Sequence, residues 1–298
     1  MKKPNTTKTD IHQEITDIII AQLEKGTVPW HQPWKDRKDG LLKLPLNSVT
    51  GNKYKGINIL MLWCSAIIQE FTTNEWGSYQ QWLSKGEQVK KGEKGTRIVY
   101  YDVIKKEKDD GEVDVIPFVK PTTVFNKQQL ESYVETMEEE LPSEPLFDND
   151  VVIEKFVDNT GIGFVFHHKG AYYHRTEDKI YMPVRERFID TPNCTAKEGF
   201  HATRFHELVH ATGSPHRLNR IKGKKFGDKE YAYEELVAEL GSAFLCSKFD
   251  LVKAEMPNHS SYIASWLEAL KDNKTFIFSA SSEASKAVNY LEELQPVF

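Results

Sequence analysis

Ile11, Ile15, Ile18, Ile19 and Leu23 recur every three or four positions with polar residues between them. That spacing predicts an opening amphipathic helix, capped by Thr9 or Asp10 and ended by Gly26. Ile57 to Gln69 is apolar almost all round and predicts a core helix, and Trp76 to Leu83 a short one. Ile98 to Ile104 reads as a strand, Asp109-Asp110-Gly111 as a turn, and Val113 to Phe125 as one or two returning strands, after which Asn126 starts another helix. Further on, Asp150 to Asn159 reads as a helix. Phe164-Val165-Phe166 and Lys179 to Pro183 read as strands around a hairpin arm at Tyr172-Tyr173-His174. Two helices near residues 258–272 and 281–294 close the chain, and no internal repeat is present.

Between these halves, Glu138 to Pro145 is acidic and carries two prolines, which marks a linker. The expected organisation is α+β in two domains, 1–135 and 150–298, joined by 136–149. Charge supports the division: residues 1–125 hold 19 Lys and Arg against 16 Asp and Glu, whereas the remainder holds 20 against 28. Five of the six tryptophans (Trp30, Trp34, Trp63, Trp76, Trp82) fall in the first half. Pro29 to Trp34 reads as a rigid aromatic loop. No apolar run approaches the ~20 residues that span a membrane. The N-terminus does not read as a secretory signal, and Cys64, Cys194 and Cys246 are too far apart for a disulfide framework. A reducing cytoplasm is the expected compartment. A net charge of −5 over 298 residues is too mild for a protein that imitates DNA.

The densest chemistry is His206-Glu207-Leu208-Val209-His210. Imidazoles four residues apart on a helix lie about 40° apart around its axis, so both reach one metal ion. Glu207 then stands beside the water that completes the coordination, as a general base does in zinc peptidases. Phe205, Leu208, Val209 and Thr212 fall at helical spacing and Gly213 follows as a stop, so the motif sits on a helix. His201, five residues before His206, is off the ligand face and reads as structural.

A catalytic site needs a third protein ligand. One candidate is His216, because His206 to His216 spells H-E-x-x-H-x-x-G-x-x-H, in which the glycine turns the chain so that the last histidine swings back. That pattern also wants a methionine turn, and the only later methionine is Met256. The other candidate, preferred here, is Glu235 on a second helix from Tyr231 to Leu245. Glu239 shares its face and can fix the tautomer of a ligand histidine. Glu234 reads as a solvated charge. Tyr231, Tyr233 or His216 are candidates to stabilise the oxyanion, and the strand near Ile180 is a candidate edge for an extended substrate. Glu207 would take the proton of the water and pass it to the leaving amine. Zn²⁺, or another divalent ion such as Mn²⁺, is the expected cofactor, one per chain.

The first half holds no catalytic cluster. It interleaves basic and aromatic residues, Lys53, Tyr54, Lys55, Trp76, Tyr79, Lys90, Lys91, Lys94 and Arg97, with glycine turns. Lysines neutralise phosphates and aromatic faces stack unpaired bases, a combination that suits single-stranded nucleic acid.

Thr50 to Asn58, Val89 to Thr96 and Thr123 to Gln129 resemble the N-terminal domain of ArdC-type antirestriction proteins, shared with TraC-type plasmid primases. Asn58, which closes the first segment, joins the expected DNA contacts. In the second half, the motif helix through Gly213, Arg217 to Arg220, Tyr231 to Leu245, Ser261 to Leu267 and Ile277 to Ala280 resemble the accompanying zincin-like domain. The resemblance implies a protein of a mobile element with an N-terminal domain that binds single-stranded DNA and a C-terminal, gluzincin-type metallopeptidase domain. It implies a role in protecting incoming DNA from host restriction, with a host restriction-system protein as a possible target. It maps the metal site onto His206, His210 and a glutamate of the second helix, which supports Glu235 and keeps His216 as the alternative. The competing expectation is a non-catalytic protein that binds and protects single-stranded DNA and whose metal site is structural or silent. A fragment of a primase system carries less weight, because no second carboxylate cluster suggests polymerase chemistry.

Overall fold

Fifteen helices and strands build the described part of the chain, which in this computed structural model covers residues 10–30, 43–107, 113–134, 149–167, 169–191, 194–220, 229–251 and 259–296. In order they are α1 (Ile11–Glu24), β1 (Leu46–Asn47), α2 (Ile57–Ile68), β2 (Glu75–Ser78), α3 (Tyr79–Ser84), β3 (Thr96–Glu107) and β4 (Val113–Asn126). Then follow α4 (Asn149–Asp158), β5 (Gly163–His167), β6 (Tyr172–His174), β7 (Lys179–Pro183), α5 (Ala196–Thr212), α6 (Lys229–Lys248), α7 (His259–Asp272) and α8 (Phe276–Glu293). Contacts group the chain into Met1–Ile11 with Pro45–Thr136 and His12–Leu44 with Met137–Phe298. The expected acidic linker, the Asp109-Asp110-Gly111 turn, Thr9, Met256 and the aromatic loop beyond Trp30 lie outside the described residues, except that Asn149 begins α4.

The first unit is a four-stranded sheet in the order β1-β2-β4-β3, with α2 packed on β3. β3 and β4 pair antiparallel from Thr96 with Val124 to Glu107 with Val113. Val99 turns both backbone groups away from β4: its N–H donates to Asn58 Oδ1 (2.9 Å) and its carbonyl accepts from Asn58 Nδ2 (2.7 Å). Its cross-strand partner Pro121, and Pro117 four residues earlier, therefore sit at positions where β3 requires no donor. The expected helix over Trp76–Leu83 is split. Trp76, Gly77 and Ser78 pair with Asn126, Phe125 and Val124 as β2, and Ser78 starts α3 through a capping box with Gln81. Asn126 caps only a three-residue 3-10 turn, Lys127–Gln129.

In the second unit β5-β7-β6 forms a three-stranded sheet, β5 parallel and β6 antiparallel to β7. This corrects the expectation that the strand at Ile180 is an edge: β7 is central, and β6 is the edge strand packed on α5. Leu236, Val237, Ala238 and Leu240 are fully buried, because α6 runs between α5, α7 and α8. A glycine permits the closest approach: a Cβ on Gly241 would stand 2.7 Å from Val209 Cγ2 of α5. α1 from His12 onward packs in this unit. Its buried Thr16 donates to the carbonyl of Lys274 (2.8 Å), the rings of His12 and Phe278 lie 4.5 Å apart, and Trp30 packs edge-on against Trp266. No helix of the described residues is long and apolar enough to cross a membrane.

Candidate metal centre

Thr195 starts α5 with a capping box: its hydroxyl accepts from the N–H of Glu198, whose carboxylate accepts from the N–H of Thr195. Phe205, Leu208 and Val209 are fully buried and fix the rotation of the helix. His206, Glu207 and His210 thereby face α6. His206 Nε2 and His210 Nε2 are 3.1 Å apart. Glu235 sets one carboxylate oxygen 3.6 Å from the first and the other 3.5 Å from the second. These three side chains offer ligand atoms within 4.8 Å of one another. Two imidazoles and a carboxylate converging in a half-closed pocket match the donor set of a divalent cation such as Zn²⁺.

His216 is not part of this cluster. Gly213 keeps a right-handed backbone (φ −76°), and the turn after it, closed by Leu218 N–H donating to the carbonyl of Thr212 (2.9 Å), does not carry His216 to the cluster. The His216 ring is exposed and meets Asp178 Oδ2 at 3.0 Å. Glu239 stands 3.8 Å from the distal Nδ1 of His206. Sequence reasoning missed Glu234: it is buried, not solvated, and its Oε1 lies 3.2 Å from His210 Nδ1. Arg220 clasps the same carboxylate through Nε and Nη2 (2.9 Å each) and donates to the carbonyl of Val209 (2.7 Å). This ion pair ties the chain after α5 to α6 and orients the His210 ring.

A cavity of about 560 Å³ opens over the cluster, lined by Tyr172, Tyr173, Arg175, Phe188, Tyr231 and Tyr262 among others. The hydroxyls of Tyr231 and Tyr262 meet at 3.3 Å, and Tyr231 also bonds Glu235. Tyr262, on α7, is a pocket residue that the sequence did not single out. Tyr233 turns the other way and bonds Ser279 Oγ (2.6 Å), so it does not reach the cavity.

Burial pushes the Glu207 carboxyl up to about 7, with the Glu235 charge adding to the rise; the positive charge on His210 and a hydrogen bond from the Tyr173 backbone work against it. His210 is raised to about 9, because burial, which opposes the charge, is outweighed by Glu235 and Glu234. Burial would likewise raise Glu235, yet the charge on His210 and the bond to His206 hold it down to about 2.

Asp178, at the β6–β7 turn, anchors the edge strand from outside. It accepts from Tyr173 Oη (2.6 Å) and takes both Nη atoms of Arg217 (2.7 and 2.8 Å). Partial burial is outweighed by Arg217, so the carboxyl sits at about 2. A group depressed below its unfolded value of about 3.9 stabilises fully above that pH and ceases to do so as pH falls through its folded value. Asp178→Asn should therefore lower the melting temperature at pH 6, with the gap to the parent closing between pH 4 and pH 2 in circular-dichroism melts.

His201 is buried with Nε2 2.5 Å from Asp150 Oδ1, as a structural histidine. Arg185 and Lys197 also contact Asp150, and Arg204 holds Glu154 (2.6 Å), so cations already balance this acidic group.

In the first unit the expected contact residues divide. Lys53, Lys55, Lys91 and Lys94 are exposed, with Gly92 in a left-handed turn (φ 92°), and Tyr79 is 39% exposed. Arg97 is half-buried, and Lys90 donates to the carbonyl of Gln128 (3.0 Å). Tyr54, Asn58 and Trp76 are interior: Tyr54 bonds Asn47, Asn58 clamps Val99, and Trp76 packs on Phe71. Tyr100, 43% exposed and opposite Lys120, was not foreseen.

A family model described as a zincin-like metallopeptidase matches residues 151–283, and one described as the N-terminal domain of anti-restriction factor ArdC matches residues 9–125. The protein y4eC of Sinorhizobium fredii, named as uncharacterized, is 34% identical over 97% of this chain and 94% of its own length. A DNA primase TraC of Escherichia coli is 30% identical over 95% of the chain, which spans only 27% of that primase. Crystal structures of the antirestriction protein ArdC from plasmid R388, one metal-free and one Mn(II)-bound, align with a TM-score of 0.75 at 36% identity. They cover 96% of this chain, which spans 97% and 98% of theirs. With both domains matched in order and a relative aligned along nearly its whole length, the chain belongs to the ArdC family of antirestriction proteins, an ArdC N-terminal domain followed by a zincin-like metallopeptidase domain.

Proposed function

We propose that the second unit is a divalent-metal peptidase acting on a protein of the host restriction response, and that the first unit binds single-stranded DNA. The convergence of His206, His210 and Glu235 beside a buried Glu207 carries the peptidase reading. Those three residues would hold the ion, Zn²⁺ or Mn²⁺. When bound, it supplies Lewis acidity, polarising a peptide carbonyl and making water more acidic. The Glu207 carboxylate takes the proton of the attacking water and returns it to the leaving amine nitrogen. Glu234 and Arg220 keep the His210 ring turned toward the cluster. Tyr231 and Tyr262 present hydroxyls to the cavity, where charge develops on the carbonyl oxygen. β6 offers its edge to an extended substrate chain. In the first unit, exposed Lys53, Lys55, Lys91, Lys94 and Tyr79 support a single-strand surface.

The ligand set is tested by metal content. Glu235→Ala should lose stoichiometric metal by inductively coupled plasma spectrometry, and His216→Ala should keep it. The reverse pattern would transfer the third-ligand role to His216.

A further inference from the structure

Ile180 and Met182 of β7 are fully buried, so Tyr181 between them points to the opposite face of the sheet. Register places Tyr172 of β6 directly across from Tyr181. Their rings are parallel within 4° at 5.2 Å. His167 of β5 lies 5.9 and 5.8 Å from these two rings, and His174 lies 6.4 and 5.9 Å away. The side chain of His174 is 40% exposed and Tyr172 is 44% exposed, so this is a solvent-facing aromatic surface and not part of the core.

Its charge also distinguishes it. Lys169, Arg175 and Lys179 are exposed in the segments that carry these rings. Of the two nearby carboxylates, Asp178 is taken by Arg217, and Glu177 accepts from the Tyr181 hydroxyl (2.6 Å). Glu177 keeps its charge, so Lys169, Arg175 and Lys179 outnumber it and leave this stretch net positive in a half of the chain that carries an acidic excess. Flat rings stack unpaired bases without demanding a sequence, and surrounding cations neutralise phosphates.

We propose that the outer face of the β5-β7-β6 sheet is a second binding site for single-stranded nucleic acid, with a base stacked on the free side of the exposed Tyr172 ring, which Tyr181 backs from the other side. Tyr172 and Arg175 also line the cavity over the metal cluster, so a strand bound here ends at the cavity mouth. The site is independent of the lysine loops of the first unit and rests on neither the peptidase reading nor theirs.

The test uses the full chain and an oligo(dT) carrying photoreactive thymine analogues. Cross-linked peptides should map to residues 163–183. Tyr172→Ala/Tyr181→Ala should abolish those cross-links and weaken oligo(dT) binding about tenfold or more. Tyr172→Phe/Tyr181→Phe should preserve both, because stacking needs the ring and not the hydroxyl. Lys179→Gln should reduce the slope of log affinity against log salt by roughly 0.7 if it contacts one phosphate. Absence of cross-links in 163–183 in the parent chain would overturn the proposal. So would capture of a proline-rich peptide on this face by a chain that leaves oligo(dT) uncross-linked there.

Discussion

Glu207→Gln should reduce peptide hydrolysis by about 10² to 10⁴-fold, the usual contribution of a positioned proton acceptor. The amide keeps the size of the side chain and can still accept from the Tyr173 backbone, but it cannot take a proton from water. His206, His210 and Glu235 are untouched, so metal content should stay at the parent level. The measurement is mass-spectrometric digestion of a proteome-derived peptide library, with metal counted in the same preparations. Cleavage at the parent rate would remove Glu207 from the role of base. A variant that cleaves nothing yet still protects transferred DNA in conjugation would favour the binding-only reading of the metal site.

Arg220→Met should destabilise the protein by about 3–5 kcal/mol, the range found when one partner of a buried ion pair is removed. The Arg220 and Glu234 side chains are only 4% and 8% exposed, so the orphaned carboxylate has little access to water. The same change also removes the donor to the Val209 carbonyl. A urea titration should show the loss, and Arg220→Met/Glu234→Leu should recover much of it because the carboxylate that lost Arg220 is removed as well. If the double variant were no more stable than the single one, the loss would lie in packing and not in the isolated charge.

How much of this was legible in the sequence follows from how local each interaction is. The two histidines and Glu207 are set by helical spacing alone, so five residues sufficed. Glu235 was legible from the helix at Tyr231 to Leu245, where it shares a face with Glu239. Its neighbour Glu234 was misread because its partner Arg220 lies 14 residues upstream, outside any helical pattern. Tyr262 was missed for the same reason, 31 residues from Tyr231. Tyr54, Asn58 and Trp76 sit among lysines and glycines and so resembled surface residues, yet Asn47, Val99 and Phe71 take up their polar atoms and rings inside the unit.

Gly241 lies six residues, about 9 Å of helix, from Glu235. At that point nothing but a hydrogen atom fits between the two helix axes, so their separation is gauged by the side chain of Val209. The carboxylate rides on one axis and both imidazoles on the other. On the proposed metal reading, ion affinity would therefore be calibrated remotely: one added methyl group, far from His206, His210 and Glu235, would widen the space between them while leaving each side chain chemically intact.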